Sequence, residues 1–348
     1  MHANVHHVIV VGDYTKEEKM NKSSIKKFRT AECVTPKHPD KICDTISDAI
    51  LDHCLERDPH SRVAVETAGG HGHIHITGEI TTNATLPLDL IAQEVYGKPI
   101  KVTTNVVQQS HEIAQGVDTG GAGDQGIMVG YASDENPEMI PNELYLARQL
   151  CKEIYKVYPF DGKTQVTLQD DKVTTVVASF QNAPKTELER IVKGWLRTVT
   201  IATENVVLHC NPAGDWSVGG FDADAGLTGR KIVIDNYGPA IPVGGGAFSG
   251  KDPTKVDRSA AYMARKIAVD KLQTLPASQG KNEVYVYLAY AIGYDQPVQA
   301  TMIVNGEESV VEGYDLSPAG IIEHLNLRKP TYFKTAHWGH MGTNQTWG

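Results

Sequence analysis

A glycine-rich stretch followed by basic residues occupies positions 244–258 and reads Gly-Gly-Gly-Ala-Phe-Ser-Gly-Lys-Asp-Pro-Thr-Lys-Val-Asp-Arg. Glycine has no Cβ, so this backbone can approach a ligand closely. A helix capped by Asp252, with Pro253 in its first turn, would direct unpaired N–H groups and a partial positive charge at an anion. Three side chains add full positive charges: Lys251, Lys255 and Arg258. The stretch predicts a polyphosphate-binding site, and the simpler interpretation is a glycine loop before a capped surface helix.

The same stretch comes close to a P-loop but departs from it in two ways. Positions 245–251 fit the pattern G-x-x-x-x-G-K, yet Asp252 stands where a serine or threonine hydroxyl should bind Mg²⁺. Upstream, Pro242 makes the preceding segment a poor central strand. An ordinary kinase or P-loop NTPase is therefore not the predicted function.

A second group of polar residues, His38-Pro39-Asp40-Lys41, begins a predicted helix with isoleucines at positions 42, 46 and 50. His38 and Asp40 lie where a metal and phosphates could meet, and the alternative for His38 is a simple helix cap. Asp40 belongs to a series of aspartates with a spacing of four, which places them on one helix face. For Asp44 and Asp52 the expectation is a solvated acidic face.

Three histidines alternate along a predicted strand, at positions 71, 73 and 75. Imidazoles on one strand face could bind zinc or nickel. The alternative is a half-polar sheet face, and the sequence leaves both open.

Periodicity and turn residues predict the elements that must position these groups. One helix is predicted to begin at about Pro39, and further predicted helices cover 85–97, 142–155, 187–199, 253–272 and 317–325. Predicted strands lie within 62–80 (around Gly69-Gly70), 100–107, 166–180 (with a turn near Asp170-Asp171), 206–210, 231–235, 283–292 and 298–304. The strand–strand–helix order recurs about three times, which indicates three related α+β units. Residues 115–126 are predicted to be a mobile loop.

Composition limits the class of protein. The chain has 348 residues, of which 41% are hydrophobic, so a sizeable core is expected. Its net charge of -9 argues against nucleic acid as a partner. Five cysteines without a C-x-x-C pair favour free thiols in a reducing compartment, and no apolar run is long enough to span a membrane. A cytoplasmic protein is expected.

Five motifs in order, between about residues 32 and 342, resemble the S-adenosylmethionine synthase (methionine adenosyltransferase) family. They are His38-Pro39-Asp40-Lys41, Gly121-Ala122-Gly123-Asp124-Gln125-Gly126, Lys163-Thr164-Gln165-Val166-Thr167, Gly226-Leu227-Thr228-Gly229-Arg230-Lys231, and the stretch 244–258. The combination is far more specific than any single glycine pattern.

The resemblance implies a fold and a reaction. The fold would be α+β, with three related α/β units in a pseudo-threefold arrangement, each a mixed sheet packed with helices. The division would be an extension at 1–28 and domains at 29–113, 114–216 and 217–348. The methionine sulfur would attack C5′ of ATP, and the released tripolyphosphate would be cleaved to phosphate and diphosphate. Two Mg²⁺ ions, K⁺ and self-association into a dimer or tetramer with sites between subunits are also implied.

The resemblance further implies roles for individual residues. Catalytic roles fall on His38, Lys163, Arg230 and Lys251. ATP contacts fall on His38, Asp161, Lys163, Trp216, Asp224, Arg230, Lys231, Ala247, Lys251 and Lys255. Methionine contacts fall on Glu79, Gln109, Asp124, Asp224 and Lys255. Metal ligands would be Asp40 and Asp257 for Mg²⁺ and Glu66 for K⁺.

Three features depart from the family pattern. Asp215-Trp216 stands where an arginine and a phenylalanine are usual; Trp216 can still stack on adenine, and the arginine's role is not carried over. The loop 115–121 looks several residues shorter, so a smaller lid would admit larger methionine analogues or release product faster. The segment 170–204 also looks trimmed. A nucleotide-binding or tripolyphosphate-hydrolysing paralogue, or a scaffold subunit, is the alternative function.

Overall fold

The computed structural model describes residues 28–108, 120–203, 205–277, 280–342 and 345–348. Its strands are β1 (Phe28–Val34), β2 (Arg62–Gly70), β3 (His73–Thr81), β4 (Lys101–Val107), β5 (Gly126–Ser133), β6 (Gly162–Gln169), β7 (Lys172–Phe180), β8 (Val207–Cys210), β9 (Gly226–Leu227), β10 (Glu283–Tyr290), β11 (Gln299–Val304) and β12 (Glu307–Val310). Its helices are α1 (Pro39–Arg57), α2 (Leu88–Tyr96), α3 (Asn142–Tyr155), α4 (Lys185–Leu196), α5 (Ile232–Asp235), α6 (Val256–Gln273), α7 (Pro318–Leu325) and α8 (Tyr332–Thr335), with a 3₁₀ turn at Gly220–Asp222.

The strands form three four-stranded sheets. The first has the order β4-β3-β2-β9, the second β1-β6-β7-β8 and the third β12-β11-β10-β5. In the first two, a hairpin is followed by a helix and a parallel strand; the third is antiparallel throughout. The predicted α+β class with three related units is confirmed, although only two of the three sheets are mixed.

Each unit contributes one strand to the sheet of another unit. A long helix precedes each hairpin: α1 before β2, α3 before β6 and α6 before β10. The strand just before each of these helices pairs outside its own unit, so β1 joins β6, β5 joins β10 and β9 joins β2. The exchange is cyclic, and it ties the three units together in a way that no local pattern predicts.

The hairpin turns follow from backbone conformations that their residues tolerate. Asp170 and Asp171 both have positive φ (48° and 61°), so the predicted turn is confirmed. The first hairpin turns at His71-Gly72, with φ of 50° and 82°, because Gly70 and His73 are still paired. The prediction of a turn at Gly69-Gly70 was therefore wrong by two residues.

Helix α1 is buried on nearly all sides, since it lies beneath β2 and contacts α2, α8 and β9. Its isoleucines belong to the main core, as predicted. The expected solvated acidic face is wrong: Asp44 is fully buried and Asp52 is largely covered. The tertiary contacts of these carboxylates are described below.

Several element predictions also need correction. The segment 231–235, predicted as a strand, is the short helix α5, and the helix predicted from position 253 begins at Val256. Strands β1, β5, β9 and β12 were missed because they are short or lack clear alternation. Of the predicted extension only Phe28 is described, and it begins β1. Among the described residues, none of the helices combines the length and apolar composition of a membrane span.

Candidate active site

The start of α1 carries the first group of polar residues. His38 is the N-cap, and its Nδ1 accepts a hydrogen bond from the backbone N–H of Asp40 at 3.2 Å. Pro39 occupies the first turn, where its missing N–H costs nothing. The local sequence thus places both the imidazole and the carboxylate at the N-terminus of α1.

Asp40 is nearly fully buried and has three partners from one loop. Its Oδ1 accepts the Leu227 N–H at 3.0 Å, and its Oδ2 lies 2.5 Å from Nζ of Lys231. Nε of Arg230 is 3.4 Å from Oδ1. Burial alone would raise the pKa of Asp40, but the hydrogen bond from Lys231 and the Leu227 N–H outweigh it, so the pKa lies below its usual value.

His38 is neutral at physiological pH in this environment. Its pKa is lowered to about 4, first by burial and then by the charge of Lys231, which outweighs the opposing effect of Asp40. In a neutral ring whose Nδ1 accepts a hydrogen bond, the proton is on Nε2. The charges of Lys163 and Asp224 also act on His38, which places both in its neighbourhood.

The glycine-rich stretch is held by the side chain of Asp257, and the predicted helix cap by Asp252 is not formed. Gly246 N–H donates to Asp257 Oδ1 at 3.0 Å, and Lys251 Nζ lies 2.6 Å from Asp257 Oδ2. The predicted cap, Asp252, lies outside α6: it accepts the N–H groups of Val63 and Thr254 and pairs with Lys255. The predicted cap is therefore wrong: the residue before α6 is Lys255, which makes no side-chain cap hydrogen bond, and lysine side chains bring the full positive charges to this region.

Arg258 was wrongly assigned to the polyphosphate site. Its guanidinium is fully buried and forms a two-point ion pair with Asp48, at 2.7 and 2.8 Å. Its ring neighbour Tyr332 lies 4.2 Å from the guanidinium carbon. Arg258 is a structural residue that joins α6 to α1.

A cavity of about 330 Å³ brings several predicted residues together between β2, β3 and the glycine-rich loop. The predicted site residues that line it are Glu66, Glu79, Ala247 and Lys251. A Cβ on Gly229 would come within 2.6 Å of the Ala247 methyl group, so the loop of Arg230 and the loop of Lys251 touch. A larger cavity of about 600 Å³ lies elsewhere, between α3 and α4, and contains none of the predicted residues.

The aspartates of α1 each hold a different segment. Asp44 accepts the Gly229 N–H at 2.8 Å, and Asp48 accepts the Gly250 N–H at 2.9 Å. Asp52 accepts the N–H groups that begin α8, at 3.0 and 2.9 Å. Burial raises the pKa of Asp44 to about 7 despite its ion pair with Lys41, because Asp235 shares that lysine. The sequence alone did not indicate these roles, although the spacing of four beside the isoleucine stripe was a signal for them.

The predicted nucleotide residues lie near the 3₁₀ turn. Asp161 Oδ2 accepts the Gly220 N–H at 2.9 Å, and burial raises the pKa of this carboxyl. The Trp216 ring lies 2.9 Å from the place where a Gly219 Cβ would be. Asp215 accepts the N–H of Lys185, the first residue of α4, at 2.9 Å, so its role is to cap that helix.

The remaining predicted residues are less tightly placed. Lys163 is paired with Glu32 at 3.1 Å on the open face of the second sheet. Asp124 and Asp224 are exposed, and each accepts the N–H of the following residue. Gln109 and most of the predicted lid, 115–119, lie outside the described residues.

The three histidines are not gathered around one point. His71 belongs to the hairpin turn, whereas His73 and His75 lie on β3 and both hydrogen-bond the Thr103 hydroxyl at 2.9 Å. Across the described ranges, no group of three or more His, Cys, Asp or Glu side chains is arranged to hold a metal ion.

Comparison with known proteins identifies what the chain is similar to. The family models of S-adenosylmethionine synthetase match in order: the N-terminal domain at residues 26–113, the central domain at 119–216 and the C-terminal domain at 218–348. S-adenosylmethionine synthase of Clostridium tetani is 41% identical over 374 positions, covering 91% of this chain and 95% of that protein. The synthase of Sulfurimonas denitrificans is 42% identical over 382 positions, covering 96% of both chains. Both alignments are longer than the 348 residues of this chain and so contain gaps on its side.

Proposed function

Because this chain belongs to the S-adenosylmethionine synthetase family, we propose that the start of α1 and the loops at 226–231 and 244–257 form its active site. The chain is a methionine adenosyltransferase: it forms S-adenosylmethionine from ATP and L-methionine and cleaves the tripolyphosphate to phosphate and diphosphate. The observation that supports this location is the convergence of Asp40, Lys231 and the Lys251–Asp257 pair on two loops that touch at Gly229 and Ala247.

Fixed cations have the main task in this reaction. The leaving tripolyphosphate carries about four negative charges, and positive groups that hold the growing charge stabilise the transition state. The cations that we assign to it are Lys163, Arg230, Lys231, Lys251 and Lys255. Lys231 and Lys251 are each paired with a carboxylate, so phosphate binding exchanges one anionic partner for another.

His38 is assigned to the departing oxygen. The N-cap bond keeps Nδ1 occupied and leaves the Nε2 proton free to donate. A neutral donor avoids the cost of burying a further charge beside Lys231. The attacking sulfur needs no base, so alignment of sulfur, C5′ and oxygen supplies much of the rate.

Asp40 and Asp257 fit a hard divalent cation, and we propose both as Mg²⁺ ligands. Each has one oxygen on a backbone N–H and the other beside a lysine ammonium group, which marks a place for positive charge. Magnesium commonly binds through one or two carboxylates plus phosphates and water, so a preformed cage is not required. When bound, the ions would neutralise phosphate charge. Glu66, at the cavity, is the proposed K⁺ ligand.

Substrate contacts follow the same reasoning. For methionine we propose that the carboxylates of Glu79, Asp124 and Asp224 hold its ammonium group and that Lys255 holds its carboxylate. Gln109 is a further proposed methionine contact. For the nucleoside we propose Asp161, Ala247 and Trp216, whose indole can stack on adenine. Glu79 and Ala247 line one cavity, which supports adjacent subsites for the two substrates.

Self-association is proposed through the open face of the first sheet. On this face the exposed Ala68 is paired with His75 on one neighbouring strand and with Leu227 on the other, and both are also exposed. Glu66, two residues before Ala68 on β2, is exposed as well. A second copy seated on this face would close the cavity, which supports a site between two subunits. The division into domains at 29–113, 114–216 and 217–348, and a cytoplasmic location supported by five free buried cysteines, remain proposals.

A product assay tests the function directly. The protein is incubated with ATP, methionine, Mg²⁺ and K⁺, and products are identified by mass spectrometry. We expect a sulfonium product with phosphate and diphosphate, and a parallel reaction with a bulkier S-alkyl homologue of methionine tests the short lid. ADP as the sole nucleotide product would indicate a kinase and contradict the proposal.

A further inference from the structure

We propose that Asp44 is a positioning residue that fixes the Arg230–Lys231 dipeptide for polyphosphate binding. This inference rests on the proposed function, because it assigns a purpose to the position of those two cations. Asp44 itself is fully buried beneath the loop and is not placed to touch a substrate.

Three successive loop residues are anchored to α1 before the two cations. The Leu227 N–H binds Asp40, and the Thr228 hydroxyl lies 2.8 Å from the Ser47 hydroxyl. The Gly229 N–H then binds Asp44 Oδ1 at 2.8 Å. Gly229 has a φ of 82°, which is open to glycine but strained for other residues, so the chain turns sharply at this anchor.

A second anchor follows the cations. Helix α5 begins directly after Lys231 and ends with Asp235, whose Oδ1 is 2.6 Å from Nζ of buried Lys41. The same ammonium group lies 3.1 Å from Asp44 Oδ2. Asp44 therefore binds the residue before the dipeptide and, through Lys41, the helix after it.

This arrangement holds two like charges side by side on a short span. Arg230 and Lys231 repel each other, and without anchors at both ends the backbone of the loop would be free to move them apart. The anchors lie three residues apart on one helix, so the span between them is set by a rigid element. The cations are thereby preorganised for a polyanion.

The chain offers a matched control on the same helix. Asp52 also accepts backbone N–H groups, at 3.0 and 2.9 Å, but they belong to α8 rather than to a predicted substrate loop. Replacing either aspartate by alanine removes a helix carboxylate and leaves N–H donors without their acceptor. Asp44→Ala also removes one of the two carboxylates beside buried Lys41, so it should lose more stability than Asp52→Ala. The deciding comparison is tripolyphosphate binding, which only release of the Gly229 loop should change.

The experiment measures tripolyphosphate binding by isothermal titration calorimetry for wild type, Asp44→Ala, Asp44→Asn and Asp52→Ala, with melting temperatures in parallel. We expect Asp44→Ala to bind tripolyphosphate about tenfold more weakly, which corresponds to about 1.4 kcal/mol. Asp44→Asn keeps an acceptor oxygen for Gly229 but loses the carboxylate beside Lys41, so it should bind more tightly than Asp44→Ala. Asp52→Ala should bind within about twofold of wild type. In steady-state assays, Asp44→Ala should raise KM for ATP and leave KM for methionine unchanged.

Each other outcome has a defined meaning. Equal binding by Asp44→Ala and wild type would overturn the inference. So would an equal loss in Asp52→Ala, or binding by Asp44→Asn that is no tighter than binding by Asp44→Ala. If Asp44→Ala does not fold, Asp44→Ser, whose hydroxyl is too short to reach Gly229, takes its place in the same comparison. A wild-type protein that binds no tripolyphosphate at all would instead overturn the proposed function.

Discussion

Asp40 and Asp257 are each held between a backbone N–H group and a lysine ammonium group. In this state the charges of Lys231 and Lys251 are already partly neutralised. Binding of polyphosphate and metal would therefore replace existing ion pairs with new ones, rather than neutralise side chains that had no partner. Both pairs are largely buried, so the attraction within each is offset by the cost of removing its charges from water, and their value lies in keeping both partners in position.

His38→Asn tests the role of a single donor. Asparagine is a good N-cap and keeps an acceptor near the Asp40 N–H, but it lacks the Nε2 donor. We expect kcat to fall by about 10²- to 10⁴-fold, as for loss of a general acid, with little change in melting temperature. Steady-state kinetics and thermal denaturation measure the two effects. A melting loss in proportion to the activity loss would mean that His38 acts mainly as a cap.

We expect His337 to contribute to the pH dependence of the unfolding free energy. Burial lowers its pKa to about 4, whereas an unfolded histidine titrates near 6.5. Between these values the unfolded chain binds the proton and the folded chain does not, so stability is lost as pH falls from about 6.5 towards 4. His337→Gln should flatten the slope by up to about 1.4 kcal/mol per pH unit. Guanidinium unfolding at several pH values measures it, and parallel slopes for variant and wild type would contradict the assignment.

At the scale of elements, α1 is the central support of the site. Its first turn presents His38 and Asp40, and its next turns hold the loops of Arg230 and Lys251 through Asp44 and Asp48. The helix is therefore buried on its polar face as well as on its apolar face. This explains why a surface pattern of charges belongs to an interior helix.

Close packing of α6 on β5 gives a prediction at this scale. A Cβ on Gly130 would lie 2.1 Å from the Ala264 carbonyl oxygen, so Gly130→Ala must push strand and helix apart. We expect a loss of about 1–3 kcal/mol of unfolding free energy. Gly194→Ala, in α4, is the matched control: its Cβ would meet nothing within 4 Å, and it should stabilise by about 0.5–1 kcal/mol. Chemical denaturation compares them, and equal effects would show that the α6–β5 contact relaxes freely.

At the scale of the whole molecule, the cyclic exchange of strands makes the three units interdependent. The borrowed strand β9 leads directly into the loop of Arg230 and Lys231, so pairing with β2 helps to place that loop. The first sheet keeps an open face beside the cavity, and this is the face that we propose for self-association.

Ala68→Arg tests the proposed interface. Ala68 is exposed on β2, in the middle of the open face, so an arginine there should oppose self-association without disturbing the core. We expect wild type to be a dimer or larger by light scattering, and the variant to shift to monomer with loss of activity. Leu90→Arg, at a 60% exposed position on α2, is the control and should leave the assembly unchanged. A fully active wild-type monomer would contradict the interface.

Local sequence determined much of the site. His38-Pro39-Asp40 specifies a capped helix start because capping and first-turn preferences act over a few residues, and the Asp170-Asp171 turn follows from the same short-range chemistry. Five motifs in order were enough to indicate the family and its α+β units. The cations were assigned through that resemblance, and their roles remain a proposal.

Only the tertiary structure decided which charges are buried and what they bind. Asp44 and Asp48 find their partners at Gly229 and Gly250, 185 and 202 residues away, and Arg258 turns inward to Asp48 rather than outward to phosphate. A spacing of four says that carboxylates share a helix face, but whether that face meets water or backbone N–H groups depends on which loops fold over it. Desolvation is a property of the assembled interior, and for that reason no segment of this sequence could reveal it alone.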